Sequence, residues 1–180
     1  MKKISSFIFI LLLFNCKKVD DLGYKTYTIK EGHHRSTYSY RTSRSDLIEF
    51  KAIFDSSAIY TTHDSLNQYD VNKLYGVSDC GKGHMKYSIR FGWRWLHGNL
   101  EILWFKHQHG EFTFNKITNA IINQSQDYSI KIQENQYILC VDDICDSTER
   151  ACSQNYNRYF LYPYFGGQEV APHTIKIKIK

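Results

Sequence analysis

The chain has 180 residues, a formal net charge of +5 and a mean hydropathy of −0.47. This mild charge comes without a cluster of basic residues, so we expect no nucleic-acid partner. The length suits one domain with a single core, and we expect a monomer. The aromatic content of 16 %, with 14 tyrosines and only 2 prolines, favours strands over helices.

The start of the chain predicts a signal peptide. Lys2 and Lys3 provide a short positive segment, and residues 7–14, "FIFILLLF", form an unbroken apolar run. This run has the length of a secretory hydrophobic region and is far shorter than the roughly 20 residues that span a bilayer. We therefore assign residues 1–15 to a targeting segment and leave them out of the fold.

Cys16 follows the apolar run directly, in "FNCKKVDD". This arrangement resembles the lipoprotein box of Bacteroidetes, with Asn15 where a small residue is usual, and "KKVDD" resembles the surface-export tag of such bacteria. The resemblance implies that Cys16 is lipidated, that residues 16–23 are a tether, and that residues 24–180 form a domain held at the outer membrane or cell surface. The alternative is an ordinary cysteine behind a signal peptide.

The other four cysteines are Cys80, Cys140, Cys145 and Cys152. An even number in an exported chain is typical of two disulfide bonds, and three pairings are open. The short spacing of Cys145 and Cys152 would let these two close a loop. A zinc site and buried free thiols are the rivals, but the spacing contains no CxxC pair, so we predict no metal site.

Alternation of apolar and polar residues with a period of two predicts strands in several segments. In chain order these are residues 24–30, 47–54, 85–96, 100–105, 127–133, 137–143, 158–165 and 174–180. In the third of them, one face is apolar throughout and carries Tyr87, Ile89, Phe91, Trp93 and Trp95. We expect that face to point into the core.

A hairpin is predicted for residues 85–105, with His97 and Gly98 as a two-residue loop. In this register apolar side chains oppose apolar ones and Arg94 opposes Glu101, whereas a shift of one residue would exchange the two faces. Gly98 supplies the positive φ that such a loop needs, and histidine is one of the residues that tolerate it.

A second hairpin is predicted for residues 127–143. Helix signals are few. Residues 64–75 could hold a turn or two, and Asp146 with Glu149 forms a capping-box pattern for a short helix that runs through Cys152. One-sided alternation in many short strands predicts an all-β fold, an antiparallel β-sandwich with one or two short helices.

Three segments carry a resemblance to known sandwiches. "DYSIKIQENQYILCVDD" (127–143) is similar to a hairpin of concanavalin-like (laminin-G-like) jelly rolls. "RFGWRW" (90–95) and "YPYFGGQEVAPHTIKIKI" (162–179) resemble β-sandwich lipoproteins of Bacteroidetes without an assigned function. The resemblance spans residues 45–180 and implies a jelly roll, a fold that often offers a sugar-binding groove on one sheet.

The outer face of the first hairpin mixes apolar and charged side chains. Aromatic rings stack on sugars, and Arg and Glu can bind hydroxyl or carboxylate groups. The glycan-binding candidates are Arg90, Arg94, Glu101, Phe105 and His107. The alternative is that Arg94 and Glu101 form a cross-strand ion pair, and that a loop covers the apolar members.

No catalytic residues are assigned from the sequence. Glu101 has no carboxylate two positions away, so the paired acids of a glycosidase are absent. "YRTSRSD" (40–46) is similar to the arginine strand of alginate-type lyases, but its Glu-Leu core is missing and the chain contains no Gln-Ile-His. The pair His107 and His109 could bind a metal if the strand continued through both.

We therefore expect a membrane-anchored envelope lipoprotein whose domain binds a polysaccharide without catalysis. A polysaccharide lyase or a glycoside hydrolase is the first alternative, and a structural or protein-interaction module of the envelope is the second. The sequence implies no cofactor and leaves a structural calcium ion open.

Overall fold

The computed structural model describes residues 19–154 and 157–180. Two six-stranded antiparallel sheets enclose one large apolar core. Cys16 and the predicted signal peptide lie outside the described residues. Within them, no helix has the length and apolar character needed to cross a membrane.

We call the first of the two sheets the back sheet. Its strands, in spatial order, are β1 (Lys25–Ile29), β12 (Ile175–Ile179), β3 (Leu47–Phe54), β8 (Gln126–Ile132), β9 (Gln136–Val141) and β10 (Ile144–Glu149).

The second sheet is the front sheet. Its strands, in spatial order, are β2 (Thr42–Ser43), β11 (Arg158–Leu161), β4 (Asn72–Ser78), β5 (Tyr87–Leu96), β6 (Asn99–Gln108) and β7 (Glu111–Ala120). Two short 3-10 helices, Ser56–Ala58 and Ser65–Tyr69, connect β3 to β4. All-β architecture with almost no helix is confirmed.

Aromatic rings from both sheets form the centre of the core. Phe50 of β3 stacks on Tyr128 of β8 and meets the edge of Phe91 from β5. Trp93, also on β5, is fully buried against Phe54. In strands such as β3 and β8 the buried residues recur at every second position, which is why the sequence pattern located these strands.

The register of the first hairpin is confirmed. Arg94 lies opposite Glu101 and Trp93 opposite Ile102. His97 and Gly98 form the loop, with φ angles of 50° and 76°. The pairing matches the arrangement in which both charges and apolar groups find partners.

Residues 144–149 form strand β10, so the predicted helix from Asp146 is wrong. The Asp146 carboxylate accepts hydrogen bonds from Trp104 Nε1 at 2.7 Å and from Asn115 Nδ2 at 2.9 Å. Pairing with β9 turns the chain at Asp142, which has a φ of 51°. A capping-box pattern is only a local preference, and this long-range pairing overrides it.

The two disulfide bonds close loops of very different length. Cys80 bonds Cys152 across 72 residues, and Cys140 bonds Cys145 across 5. The expected loop between Cys145 and Cys152 is therefore absent, because Cys145 lies directly opposite Cys140 in the β9–β10 hairpin.

The sequence pattern did not predict three strands of the front sheet, which are β4, β7 and the two-residue β2. β4 is buried on both faces and contains Gly76, so it shows no alternation. β7 carries exposed aromatic side chains on its outer face. The predicted strand 158–165 ends earlier, at Leu161, two residues before Pro163.

Candidate functional site

The outer surface of β4–β7, which faces away from the core, holds most of the candidate residues. Arg90 of β5 lies opposite Gly76 of β4 and Phe105 of β6, and Phe105 lies opposite Phe114 of β7. In the next row along the strands, His107 lies between Ser88 and Phe112. Opposed residues share a face of a sheet, so these side chains form one surface, which we call the front face.

Arg94 and Glu101 lie on the front face but bind each other. Arg94 Nε donates to Glu101 Oε2 at 2.8 Å, and Lys116 Nζ donates to Glu101 Oε1 at 3.0 Å. Arg94 also donates to the Tyr69 carbonyl at 2.8 Å. Burial alone would raise the pKa of Glu101, but the hydrogen bonds from Arg94 and Lys116 lower it below its usual value. The cross-strand ion pair is therefore present.

Three phenylalanine rings form a cluster of nearly parallel rings across β6 and β7. The centroids of Phe105 and Phe112 are 5.4 Å apart, those of Phe105 and Phe114 are 6.2 Å apart, and the rings tilt by 14° and 4°. Phe105 is buried, whereas Phe112 is 58 % exposed and Phe114 is 40 % exposed. Two exposed rings beside a buried one offer an apolar platform to a ligand.

Arg90 is a buried cation beside this cluster. Its side chain is 7 % exposed, and its Nε has no hydrogen-bond partner among the described residues. The guanidinium carbon lies 5.8 Å from the centroid of the Phe105 ring. Burial lowers the pKa of Arg90 to about 10, so it remains charged at neutral pH.

Lys73 of β4 approaches the same ring. Its Nζ is 4.3 Å from the Phe105 centroid and donates to the Val71 carbonyl at 2.6 Å. Burial and the repulsion of Arg90 lower the pKa of Lys73 to about 8, against a weaker attraction to Asp70. Two cations therefore share one apolar environment.

His107 is buried beside these cations. Its Nδ1 lies 3.4 Å from Ser88 Oγ, which donates to the His84 carbonyl at 2.7 Å. Burial, followed by repulsion from Arg90 and Lys73, lowers the pKa of His107 to about 4, so the imidazole is neutral at pH 7. His109 lies in the β6–β7 turn with a φ of 56°.

A cavity of about 280 Å³ reaches Arg90 from the side of β11. Its lining includes Arg90, His84, Tyr38, Tyr40, Tyr159, Tyr162 and Tyr164. We call it the tyrosine cavity. The sequence prediction named none of these tyrosines, because their segments meet only in the folded chain, although the 14 tyrosines were a visible signal.

Two glycines on neighbouring strands allow close packing around Arg90 and Val71. A Cβ at Gly76 would lie 2.4 Å from Arg90 Cα, and one at Gly92 would lie 2.4 Å from Val71 Cγ1. Both distances are far below normal van der Waals contact. The lack of a side chain at Gly76 therefore lets β4 lie directly against Arg90, and the lack of one at Gly92 makes room for Val71.

A second cluster of polar groups is structural. Asp79 lies near the sulfur atoms of Cys80 and Cys152, but these sulfurs are bonded to each other. The Asp79 carboxylate accepts hydrogen bonds from Arg150 and Arg158. Neither the carboxylate nor the sulfurs are therefore free to bind a metal ion.

No protein-family model matches the sequence, and no curated protein matches it. Among solved structures, the alginate lyase AlyC3 is similar with a TM-score of 0.62 at 10 % identity, over 90 % of this chain and 75 % of that chain. SCLam, a non-specific endo-β-1,3(4)-glucanase of family GH16, gives 0.58 at 12 % identity, over 87 % and 69 %.

A mixed-linkage-glucan GH16 protein of Bacteroides ovatus gives a TM-score of 0.55 at 10 % identity, over 90 % of this chain and 81 % of that chain. Likeness at such low identity shows the fold alone. The fold is the antiparallel jelly-roll sandwich that these proteins share, as the sequence predicted.

Proposed function

We propose that the chain binds a glycan along its front face and that it does so without catalysis. The observation that carries the proposal is the cluster of nearly parallel phenylalanine rings, two of them exposed, which lies beside the buried Arg90, the half-buried Lys73 and a tyrosine-lined cavity. Ligand sites typically combine aromatic walls with a few polar groups that fix orientation. The solved structures with this fold include alginate lyases and glucanases, which supports a glycan as the ligand.

A glycoside hydrolase is less well supported. Hydrolysis needs two carboxyl groups about 5–10 Å apart, one of them able to donate a proton. Glu101 is the carboxylate that the register brings to the front face, and Arg94 and Lys116 already bind it. A lowered pKa also keeps it from acting as the acid.

A polysaccharide lyase is the second candidate, and the position of His107 favours it. A neutral imidazole beside a buried guanidinium could remove the proton next to a carboxylate that Arg90 neutralises. Tyr159 and Tyr164 lie close enough to Arg90 to influence its pKa and could donate a proton to the leaving oxygen. Mass analysis of polysaccharides after incubation separates the two functions, because only a lyase yields shortened, unsaturated products.

We expect Phe114→Ala to weaken glycan binding about tenfold, because it removes an exposed ring of the platform. The affinity is measured by electrophoresis through gels that contain the polysaccharide. Ile144→Ala is the matched control, since Ile144 is 52 % exposed on the back sheet. Unchanged mobility of Phe114→Ala, equal to that of the control, would remove the platform from the binding site.

We also propose that Cys16 anchors the protein to the outer membrane or cell surface through lipid. Support comes from its place directly behind the apolar segment 7–14. Several acyl chains give stable anchoring, because each buried methylene contributes about 0.8 kcal/mol. We expect Cys16→Ser to shift the protein from the membrane fraction to the soluble fraction. A variant that stays with the membranes after a high-salt wash would contradict the anchor.

If no glycan binds, a structural or protein-interaction role in the envelope becomes the better explanation.

A further inference from the structure

We propose that the glycan is acidic and that Arg90 binds an oxyanion carried by one of its sugars, a carboxylate or a sulfate. The inference rests on the proposed function and deepens it. The fold by itself does not indicate whether the glycan is acidic or neutral, because alginate lyases and glucanases both have it. It distinguishes between these two classes of ligand.

Arg90 lacks the partner that a buried guanidinium requires. Removing such an ion from water costs several kcal/mol unless an anion or hydrogen bonds compensate. Arg90 is 93 % buried, its Nε is without a hydrogen bond, and no carboxylate in the described part of the chain forms an ion pair with it. The contact with Phe105, at 5.8 Å, offsets only part of this cost.

Other buried arginines of the described chain differ in this respect. Arg150 Nε lies 2.9 Å from the Asp79 carboxylate, and Arg158 Nε lies 3.1 Å from it. Arg158 also lies 3.0 Å from Asp46. The fold thus supplies acids to the arginines that stabilise it. An arginine that is kept without an acid is expected where the anion comes from a ligand.

Lys73 adds a second positive charge next to Arg90, over the same Phe105 ring. Arg90 and Lys73 both lie over the Phe105 ring, and their repulsion contributes to the lowered pKa of Lys73. After the larger effect of burial, the positive charge of Arg90 also lowers the pKa of His84 and of His107. Asp70, the residue whose carboxylate attracts Lys73, accepts a hydrogen bond from the backbone N–H of Gln168 at 3.3 Å. An oxyanion near Arg90 would relieve this repulsion.

A ligand can reach Arg90 from solvent through the tyrosine cavity. The tyrosine cavity of about 280 Å³ reaches Arg90, and its rim residues Tyr38 and Tyr40 are 68 % and 76 % exposed. A cavity near the lower end of the roughly 300–1,000 Å³ range for small-ligand sites suits about one sugar ring. Tyrosine hydroxyls can exchange hydrogen bonds with sugar hydroxyls, while the planar guanidinium fork matches the two oxygens of a carboxylate.

The experiment compares the purified protein with Arg90→Gln, Arg90→Lys and the exposed control Arg44→Gln. Binding of a polyuronate, a sulfated glycan and a neutral β-glucan is measured by isothermal titration calorimetry, and the melting temperature of each free protein is recorded. We expect an acidic polymer to bind tighter than the neutral one, and Arg90→Gln to weaken that binding about 30-fold, with Arg44→Gln unchanged. Arg90→Lys should recover only part of the affinity, because it keeps the charge but loses the fork.

The melting temperature tests for a purely structural role. If Arg90 serves a ligand, removing its unpaired charge should leave the melting temperature of the free protein unchanged or raise it. A clear fall would overturn the inference. So would a neutral glucan that binds as tightly as the acidic polymers, with Arg90→Gln binding all of them as the parent protein does, although the proposed function would then stand. Failure of all three polymers to bind would overturn both. The relative affinities for polyuronate and sulfated glycan identify the oxyanion.

Discussion

Replacing Asp79 by Asn is expected to lower the free energy of unfolding by about 3–5 kcal/mol. Asp79 is fully buried and accepts hydrogen bonds from Arg150 Nε at 2.9 Å, Arg158 Nε at 3.1 Å and Tyr137 OH at 2.7 Å. Burial alone would raise the pKa of Asp79, but the hydrogen bonds from Arg150 and Tyr137 lower it below its usual value. Asn would keep the shape and leave two buried guanidinium groups without their shared carboxylate.

The measurement is urea unfolding at neutral pH, followed by tyrosine and tryptophan fluorescence. Asp127→Asn is the matched control, because Asp127 pairs with Lys51 at the surface, where both side chains are about half exposed. An exposed pair contributes at most about 1 kcal/mol. Equal effects of the two substitutions would show that the Asp79 network does not stabilise the fold.

The same network predicts how the stability of the fold changes when the pH is lowered. A carboxyl group whose folded pKa is lowered contributes stability above its unfolded pKa, and this contribution is lost as the pH falls through the folded value. Asp79→Asn should therefore lose less stability than the parent protein when the pH is lowered below about 4.

Removing the Cys80–Cys152 disulfide is expected to cost about 4 kcal/mol in the free energy of unfolding, from the chain entropy of a long loop. The bond closes a separation of 72 residues and joins the end of β4 to the segment before β11. The Cys140–Cys145 bond closes only 5 residues, and its removal should cost about 2 kcal/mol.

The two pairs are compared as double Cys→Ala variants in the same urea titration. The longer loop should give the larger loss. A larger loss from the Cys140–Cys145 pair would contradict the loop-entropy account. Cys80 follows Asp79 directly, so the effects of these two sites are not expected to add.

The sequence pattern located strands in which apolar and polar residue types alternate. β3 was predicted with its observed bounds, Leu47–Phe54, because its apolar and polar residues alternate without interruption. The hairpin of β5 and β6 was predicted with its register, since only one pairing opposes Arg94 to Glu101 and keeps the apolar face intact. The jelly-roll class followed from these strands and from the resemblance of residues 45–180.

Strands without regular alternation of residue types were not recognisable from the sequence. β4 is buried on both faces, so its polarity does not alternate. β10 lies at the edge of the back sheet, and its pairing with β9 outweighs the local helix signal at Asp146. Pairings between distant segments depend on the whole fold, and no short window of sequence contains them.

The candidate site was likewise predictable from the sequence only in part. Arg90, Phe105 and His107 were assigned to one face because all three follow from the register of a single hairpin. The tyrosine cavity was missed, since it forms where residues 35–40 meet residues 159–164. The lack of a partner for Arg90 is likewise a property of the packed structure and has no counterpart in the sequence.

The most direct test of the account is a crystal structure of the protein with an oligosaccharide of the acidic polymer that binds best. We predict that its oxyanion lies about 3 Å from the Arg90 guanidinium, with a sugar ring in the tyrosine cavity and the chain continuing over Phe114. A sugar bound on the back sheet, or an oxyanion away from Arg90, would contradict the account.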